Sequence, residues 1–258
     1  MIQMLMRVIN TGSQAGNSYA LIADSGEILL LDSGCRYKDI LKGTDYRVSD
    51  ISGVLLTHEH QDHIKSFRDF MRAGVQCYGC DELAEYIETV YGEKIKGLAE
   101  KRTVQIGSFT LTPFYLPHTT KSKETGQIIP CPNFGYLVEH EEMGKLIYCT
   151  DMEYLPYRFT SQHVQHWLIE CNHMDDLVDR DSGKYAHVLQ GHSSLSTVKE
   201  IIRVNKTSDM HNVILCHLSA DNADPEVMKK EIQVVAGQWC NVAVAEPGLE
   251  LVLSKYPW

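Results

Sequence analysis

No stretch of the 258 residues approaches the ~18 consecutive apolar residues that a helix needs to cross a bilayer, which excludes such a span from this sequence. Basic residues are in the minority: 24 Lys and Arg stand against 34 Asp and Glu, a formal charge of −10. A general electrostatic grip on a phosphate backbone is therefore lacking, and an anionic substrate needs a local positive centre. The opening residues, M-I-Q-M-L-M-R-V-I-N, lack the basic start, sustained apolar stretch and small-residue cleavage site of a signal peptide. They read as a first strand, and the expected location is the cytoplasm. No Ser- or Pro-rich linker, biased tract or short-period repeat divides the chain, so one domain over 1–258 is expected. Without a secretion signal, the eight cysteines read as free thiols rather than a disulfide framework.

What is present is ordinary globular composition, 43% hydrophobic and 22% charged, over a length that buries a sizeable core. Short apolar or alternating runs bounded by Gly, Asp, Asn or Pro predict strands around 2–9, 17–23, 27–32, 53–57, 75–78, 109–115, 133–139, 145–150, 165–170, 212–216 and 241–244. Helical spacing predicts helices over Ile64 to Met71, Asp81 to Val90, Leu195 to Val204 and Pro225 to Ala236, the last capped by Asp224. The pattern is α/β. Residues 117–132 form the one long irregular stretch, and a segment of that kind inside a domain usually serves function or motion.

The sharpest chemical signal is G-V-L-L-T-H-E-H-Q-D-H at residues 53–63, an apolar strand running into four candidate metal ligands: His58, His60, Asp62 and His63. At a strand end His58 and His60 project the same way, because side chains alternate with period two, while Asp62 and His63 fall on the turn into the next helix. Imidazole and carboxylate are the expected ligands of zinc and similar divalent ions, and a catalytic site keeps a position open for water. A solvated polar turn is the plainer alternative.

The T-H-E-H-Q-D-H segment closely resembles the H-x-H-x-D-H signature of the metallo-β-lactamase fold superfamily, and the resemblance covers nearly the whole chain. Upstream, T-G-S-Q-A-G-N-S-Y and L-L-L-D-S-G resemble the opening strands of that fold, the second supplying Asp32 as a carboxylate that supports the ligands from behind. Downstream, the resemblance implies a role for His118 in L-P-H, Asp151 in Y-C-T-D and His217 in L-C-H-L-S, each after a predicted strand. It implies one metal held by His58, His60 and His118, another by Asp62, His63 and His217, and Asp151 between them. Two divalent ions are expected, zinc first, with manganese or iron suited to the same ligands. The implied fold is a four-layer αββα sandwich, with the metals at one edge between the sheets. A hydroxide bridging two cations is a nucleophile at neutral pH, because metal binding lowers the pKa of water to ~7.

The C-terminal third narrows the resemblance. L-I-E-C-N-H at 168–173, Q-G-H-S-S at 190–194 and I-L-C-H-L-S-A-D-N at 214–222 resemble the phosphodiesterase branch that includes RNase Z, and most closely the YycJ-type (WalJ) group. This implies Glu170 and His192 as a proton-relay pair, with Asp62 orienting the nucleophile as well as binding metal. The implied activity is a metal-dependent nuclease with 5′-to-3′ exonuclease action on DNA. A small-molecule hydrolase of the same fold, acting on a lactone, thioester or cyclic phosphate, shares every metal ligand and is the alternative. No inserted nuclease domain and no clear exosite arm is visible, so transfer-RNA processing is not expected.

Other features have two readings each. Asn172 and His173 match the E-x-N-H segment and are expected near the cleft, without an assigned role. Cys77-Tyr78-Gly79-Cys80 has the spacing of half a zinc knuckle, but no second half follows, which favours core packing. Lys121 and Lys123, and the helical stripe of Lys65, Arg68 and Arg72, suit phosphate contact or a solvated surface. Tyr37, Tyr154 and Tyr157, on predicted loops, suit base stacking or simple packing. His140, His163, His166, His187 and His211 stand in no motif and read as ordinary histidines.

Overall fold

The I-L-L-L run is apolar throughout and N-V-I-L-C is apolar after its first residue, as suits strands buried on both faces. The computed structural model describes residues 3–122, 125–178 and 191–256. Its first sheet holds β1 (Met4–Asn10), β2 (Ser18–Ile22), β3 (Ile28–Leu31), β4 (Ile51–Leu55), β5 (Cys77–Cys80) and β6 (Lys96–Leu98) side by side in chain order. The second begins with β7 (Val104–Ile106) and β8 (Phe109–Leu116), and a separate hairpin of β9 (Thr119–Lys121) and β10 (Ile128–Pro130) follows. The second sheet is completed by β11 (Asn133–His140), β12 (Gly144–Cys149), β13 (His166–Glu170), β14 (Asn212–Cys216) and β15 (Asn241–Val244). Finally β16 (Glu250–Leu253) returns antiparallel to β1.

The two sheets face each other. Alternation along β13 and β14 sends Leu168 and Ile214 into the cluster shared with the first sheet. Trp167, Ile169, Val213 and Leu215 instead pack under helices α5 (Leu195–Asn205) and α6 (Pro225–Ala236). On the far side, α3 (Phe67–Arg72) and α4 (Asp81–Tyr91) place Phe70, Leu83 and Ile87 in the core of the first sheet, near α1 (Tyr37–Gly43) and α2 (Gln61–Ile64). This is the four-layer αββα sandwich. Among the described residues, no helix is long and apolar enough to cross a membrane.

Local departures from the sequence reading have local causes. The helix expected over Ile64 to Met71 is two helices broken at Ser66, whose N–H donates to the Ser33 carbonyl (2.9 Å) and whose hydroxyl donates to the Cys35 carbonyl (2.6 Å). Those bonds draw Ser66 out of the helical ladder, so Lys65, Arg68 and Arg72 do not share one continuous helix. Tyr37, expected on a loop, opens α1 and packs edge-on against Phe70. The stretch over 117–132, read as irregular, contains the β9–β10 hairpin. Three-residue strands such as β6 and β7 are too short to leave a periodic signature.

Parallel pairing joins β3 to β4 and β12 to β13 to β14, so their carboxyl ends point to the same edge of the sandwich. Open α/β sheets offer a ligand crevice at such an edge. Asp32, Asp151 and His217 follow β3, β12 and β14 and adopt positive φ of 57°, 49° and 54°. Non-glycine residues rarely occupy that region, and a cluster of them at strand ends marks a site where the surroundings impose the conformation. Gly34 is required by close approach: a Cβ there would lie 1.7 Å from the Asp62 carbonyl oxygen.

Candidate active site

The strand-end residues converge. Ligand-capable atoms of His58, His60, His118 and Asp151 form one group, and those of Asp62, His63, Asp151 and His217 a second, each with all atoms within 4.8 Å of one another. Asp151, Glu170, His192 and His217 form a third group that overlaps the second. The residues singled out in the sequence therefore lie at one place, with Asp151 common to all three groups.

Each of the five imidazoles has one ring nitrogen tied to the protein and the other turned into the cluster. His63 Nδ1 donates to Asp32 Oδ2 at 2.7 Å, leaving Nε2 3.5 Å from Asp62 and 3.3 Å from Asp151. His217 Nδ1 donates to Glu170 Oε1 at 3.0 Å, with Nε2 3.3 Å from Asp62. His118 Nδ1 donates to the Gly191 carbonyl at 2.9 Å, and its Nε2 lies 3.3 Å from His60 Nδ1. His60 Nε2 donates to the Thr120 hydroxyl at 3.0 Å. His58 Nδ1 meets the Thr57 hydroxyl at 3.0 Å, while its buried Nε2, 3.7 Å from Asp151, has no hydrogen-bond partner among the described residues. Outer tethers of this kind fix the tautomer and aim of metal-binding histidines. Together with the orphaned His58 nitrogen and the mixed imidazole–carboxylate donor set, they fit divalent cations.

The electrostatics differ between the two halves. Burial, then the neighbouring rings of His63 and His60, push His58 well below the usual histidine range, and burial brings His118 down to about 3. Both rings are therefore neutral, the form that ligates metal. Around His217 burial works the other way from its surroundings, and Asp151, Asp62 and Glu170 outweigh it to raise the ring to about 10. A region that stabilises a proton so strongly attracts cations generally.

Behind the cluster, Asp32 is wholly buried and saturated: it accepts from the Thr57 amide and hydroxyl, from His63, and from the Tyr148 hydroxyl at 2.5 Å. Beside it, Glu170 Oε1 accepts from His192 Nδ1 at 2.7 Å as well as from His217, and Glu170 Oε2 accepts the amides of Met152 and Ser193. Burial opposes a charge on His192, but Glu170 outweighs it and lifts the ring above the usual range. The His192 ring also stacks on that of His217 at 5.3 Å.

Several participants carried no signal in the sequence reading. Thr120 lies outside every motif and Asn133 donates to the Asp151 carbonyl, while Tyr148 in Y-C-T-D and Thr11, whose hydroxyl accepts from the His217 amide, stand inside motifs without a role of their own. Thr57 and Asn17 likewise stand inside motifs without a role of their own; Asn17 Nδ2 lies 3.2 Å from His63 Nε2. Asn172 donates to the His217 carbonyl at 2.9 Å, whereas His173 is buried and neither ring nitrogen is bonded among the described residues.

Other candidates sit elsewhere. Cys77 Sγ approaches the Phe67 carbonyl and Cys80 caps α4, both buried as packing thiols. Arg68 and Arg72 face Glu93 and Asp69, and the Tyr157 hydroxyl donates to Glu100. His140, His163, His166 and His211 make structural hydrogen bonds away from the cluster. Lys123 and His187 lie outside the described residues.

Comparison with known proteins accords with this geometry. The chain is 26% identical over 238 residues to a protein named exodeoxyribonuclease WalJ from Streptococcus pneumoniae, covering 83% of this chain and 81% of that one. It is 23% identical over 252 residues to exodeoxyribonuclease YycJ from Bacillus anthracis, covering 88% and 87%. Among solved structures, the metallo-β-lactamase fold protein YhfI from Bacillus subtilis superposes with a TM-score of 0.73 at 18% identity, over 98% of this chain and 100% of that one. A family model described as the Beta-lactamase superfamily domain matches residues 37–218, which include every residue from His58 to His217 in the cluster. The chain belongs to this superfamily and is a metallo-β-lactamase-fold hydrolase.

Proposed function

We propose that the protein is a metal-dependent phosphodiesterase acting on nucleic acid, specifically a DNA exonuclease of 5′-to-3′ direction. The observation that carries this reading is the hydrogen bond between His192 Nδ1 and Glu170 Oε1, placed beside the two donor groups. Phosphodiester hydrolysis needs a proton for the leaving oxygen, and a histidine oriented by a buried carboxylate suits that task. The relatives named exodeoxyribonucleases support DNA as the substrate, and the direction follows from resemblance to that group.

In this reading His58, His60 and His118 hold one cation, Asp62, His63 and His217 the other, and Asp151 both. Zinc is the proposed metal, with manganese or iron accepted by the same donors. Bound divalent cations lower the pKa of water and offset charge on non-bridging phosphate oxygens. Asp62, 20% exposed and so in reach of solvent, orients the attacking water. His192 donates its proton to the departing oxygen, and Glu170 stabilises the ring's charge beforehand. The tethers from Asp32, Thr57, Thr120 and the Gly191 carbonyl keep the imidazoles aimed throughout.

The test is hydrolysis of end-labelled single- and double-stranded DNA and RNA by zinc- or manganese-loaded protein, with Asp62→Ala and chelated samples as controls. Label released from DNA by the wild type alone is expected, and its position reports direction. Hydrolysis of lactones, thioesters or cyclic phosphates with every nucleic acid left intact would transfer the assignment to a small-molecule hydrolase.

A further inference from the structure

We propose that the β9–β10 hairpin is a substrate-contact arm built onto the metal centre, in which Thr120 positions His60 and Ile129 packs against the nucleotide at the scissile bond. This rests on the phosphodiesterase reading above. The hairpin is anchored at its base, where the Cys131 amide donates to the carbonyl of His118 at 2.9 Å. Beyond that point, among the described residues, its two strands pair only with each other. An isolated two-stranded ribbon is marginal in water, so its attachment to the cluster matters for its geometry.

Register identifies which side chains face the site. Ile128 stands opposite Lys121, Ile129 opposite Thr120 and Pro130 opposite Thr119. Directly opposed residues of an antiparallel pair share a face, and successive residues alternate. The Thr120 hydroxyl reaches His60 Nε2 at 3.0 Å, so its face is the one turned to the cluster. Ile129 shares that face, whereas Ile128 and Lys121 occupy the other. Ile129 is nevertheless 41% exposed. A large apolar side chain beside a polar cluster suits an occupant that is apolar next to its reacting group, and the base or sugar of a nucleotide has that character.

Thr120 works through His60. By accepting from Nε2 it leaves Nδ1 directed at His118 Nε2, 3.3 Å away. Loss of such an outer partner typically weakens metal binding 10–100-fold. Because Thr120 and Ile129 are cross-strand neighbours, the same strand pair that meets the substrate also holds a ligand.

The experiment uses the full chain and the variants Ile129→Ser, Ile128→Ser, Thr120→Val and Thr120→Ser. Zinc affinity is read by competition with a chromophoric chelator, KM and kcat on end-labelled DNA, and folding by circular dichroism. Ile129→Ser should raise KM about tenfold at unchanged zinc affinity, while Ile128→Ser leaves both unchanged. Thr120→Val should weaken zinc binding about tenfold or more, with Thr120→Ser restoring it. If Thr120→Val does not fold, Thr120→Ala takes its place. A wild-type KM for Ile129→Ser, or wild-type zinc affinity without the Thr120 hydroxyl, overturns the proposal. A wild type that cleaves no nucleic acid instead overturns the phosphodiesterase reading and the Ile129 contact with it, and the zinc titration still decides the role of Thr120.

Discussion

The Tyr148 hydroxyl donates to the Asp32 carboxylate at 2.5 Å, joining the second sheet to the first directly behind the candidate metal ligands. Both side chains are fully buried. Tyr148→Phe removes one donor from a carboxylate that also holds His63 and Thr57. The expected cost is about 1–3 kcal/mol, the usual range for leaving a buried acceptor short of a partner. Urea unfolding of the two proteins would show it as a lower midpoint at unchanged slope.

Asp62 belongs to only one of the two principal donor groups. Asp62→Ala should reduce bound zinc from two ions per chain toward one and bring hydrolysis to background, with the fold retained. Elemental analysis after gel filtration, paired with far-ultraviolet circular dichroism, checks both halves. Retention of two tightly bound ions would remove Asp62 from the ligand set.

His192 and Glu170 should separate in their effects. His192 is bonded to Glu170, stacks on His217 and lies 3.9 Å from Asp151, yet it belongs to neither principal donor group, so His192→Ala should lower kcat by about 10²–10⁴-fold while metal content stays the same. Glu170 orients His217 as well, and Glu170→Gln should lower kcat and weaken one ion together. Equal kcat for His192→Ala and wild type on a good substrate would rule out the relay.

A polar clasp on the opposite side of the sandwich predicts a pH dependence. Glu27 accepts hydrogen bonds from Ser52 and from the amide and hydroxyl of Ser108, and Ser108 meets His140 at 2.9 Å. Burial resists ionisation of Glu27, but the Ser108 and Ser52 bonds outweigh it and lower its pKa from the usual 4.5. A carboxyl with a depressed folded-state pKa contributes stability above its unfolded pKa, and that contribution fades as pH falls through the folded value. The melting-temperature gap between wild type and Glu27→Gln should therefore be constant from pH 7 to about 5.5 and close at lower pH. A gap independent of acidity would show that the Glu27 charge contributes nothing.

All eight cysteines are buried, and burial pushes the thiols of Cys35, Cys77, Cys80 and Cys131 up to about 12. Native protein should react with a thiol reagent at pH 8 far more slowly than protein unfolded in guanidinium, where all eight titrate. Since these groups stay protonated when folded but ionise near 9 when unfolded, they also contribute stability that declines as pH rises from 9 toward 12. Rapid reaction of Cys77 and Cys80 in the native state would contradict their role as packing residues.

The apolar runs that become strands, the T-H-E-H-Q-D-H turn, and the residues that follow each parallel strand, from Asp32 to His217, can be read from the chain alone. These are legible because strand length, alternation and ligand type are local properties, written within a few residues. Tertiary packing sets which nitrogen of His60, His63, His118 and His217 faces the cluster, since their tethers come from distant segments. Tyr148 is 116 residues from Asp32 and Thr120 is 60 from His60. It also decided that one carboxylate, Glu170, holds both His192 and His217, and that Ser66 breaks a helix whose periodicity runs on unbroken. A hydrogen bond across two sheets depends on how the sheets pack, and no spacing within one strand or helix can encode it.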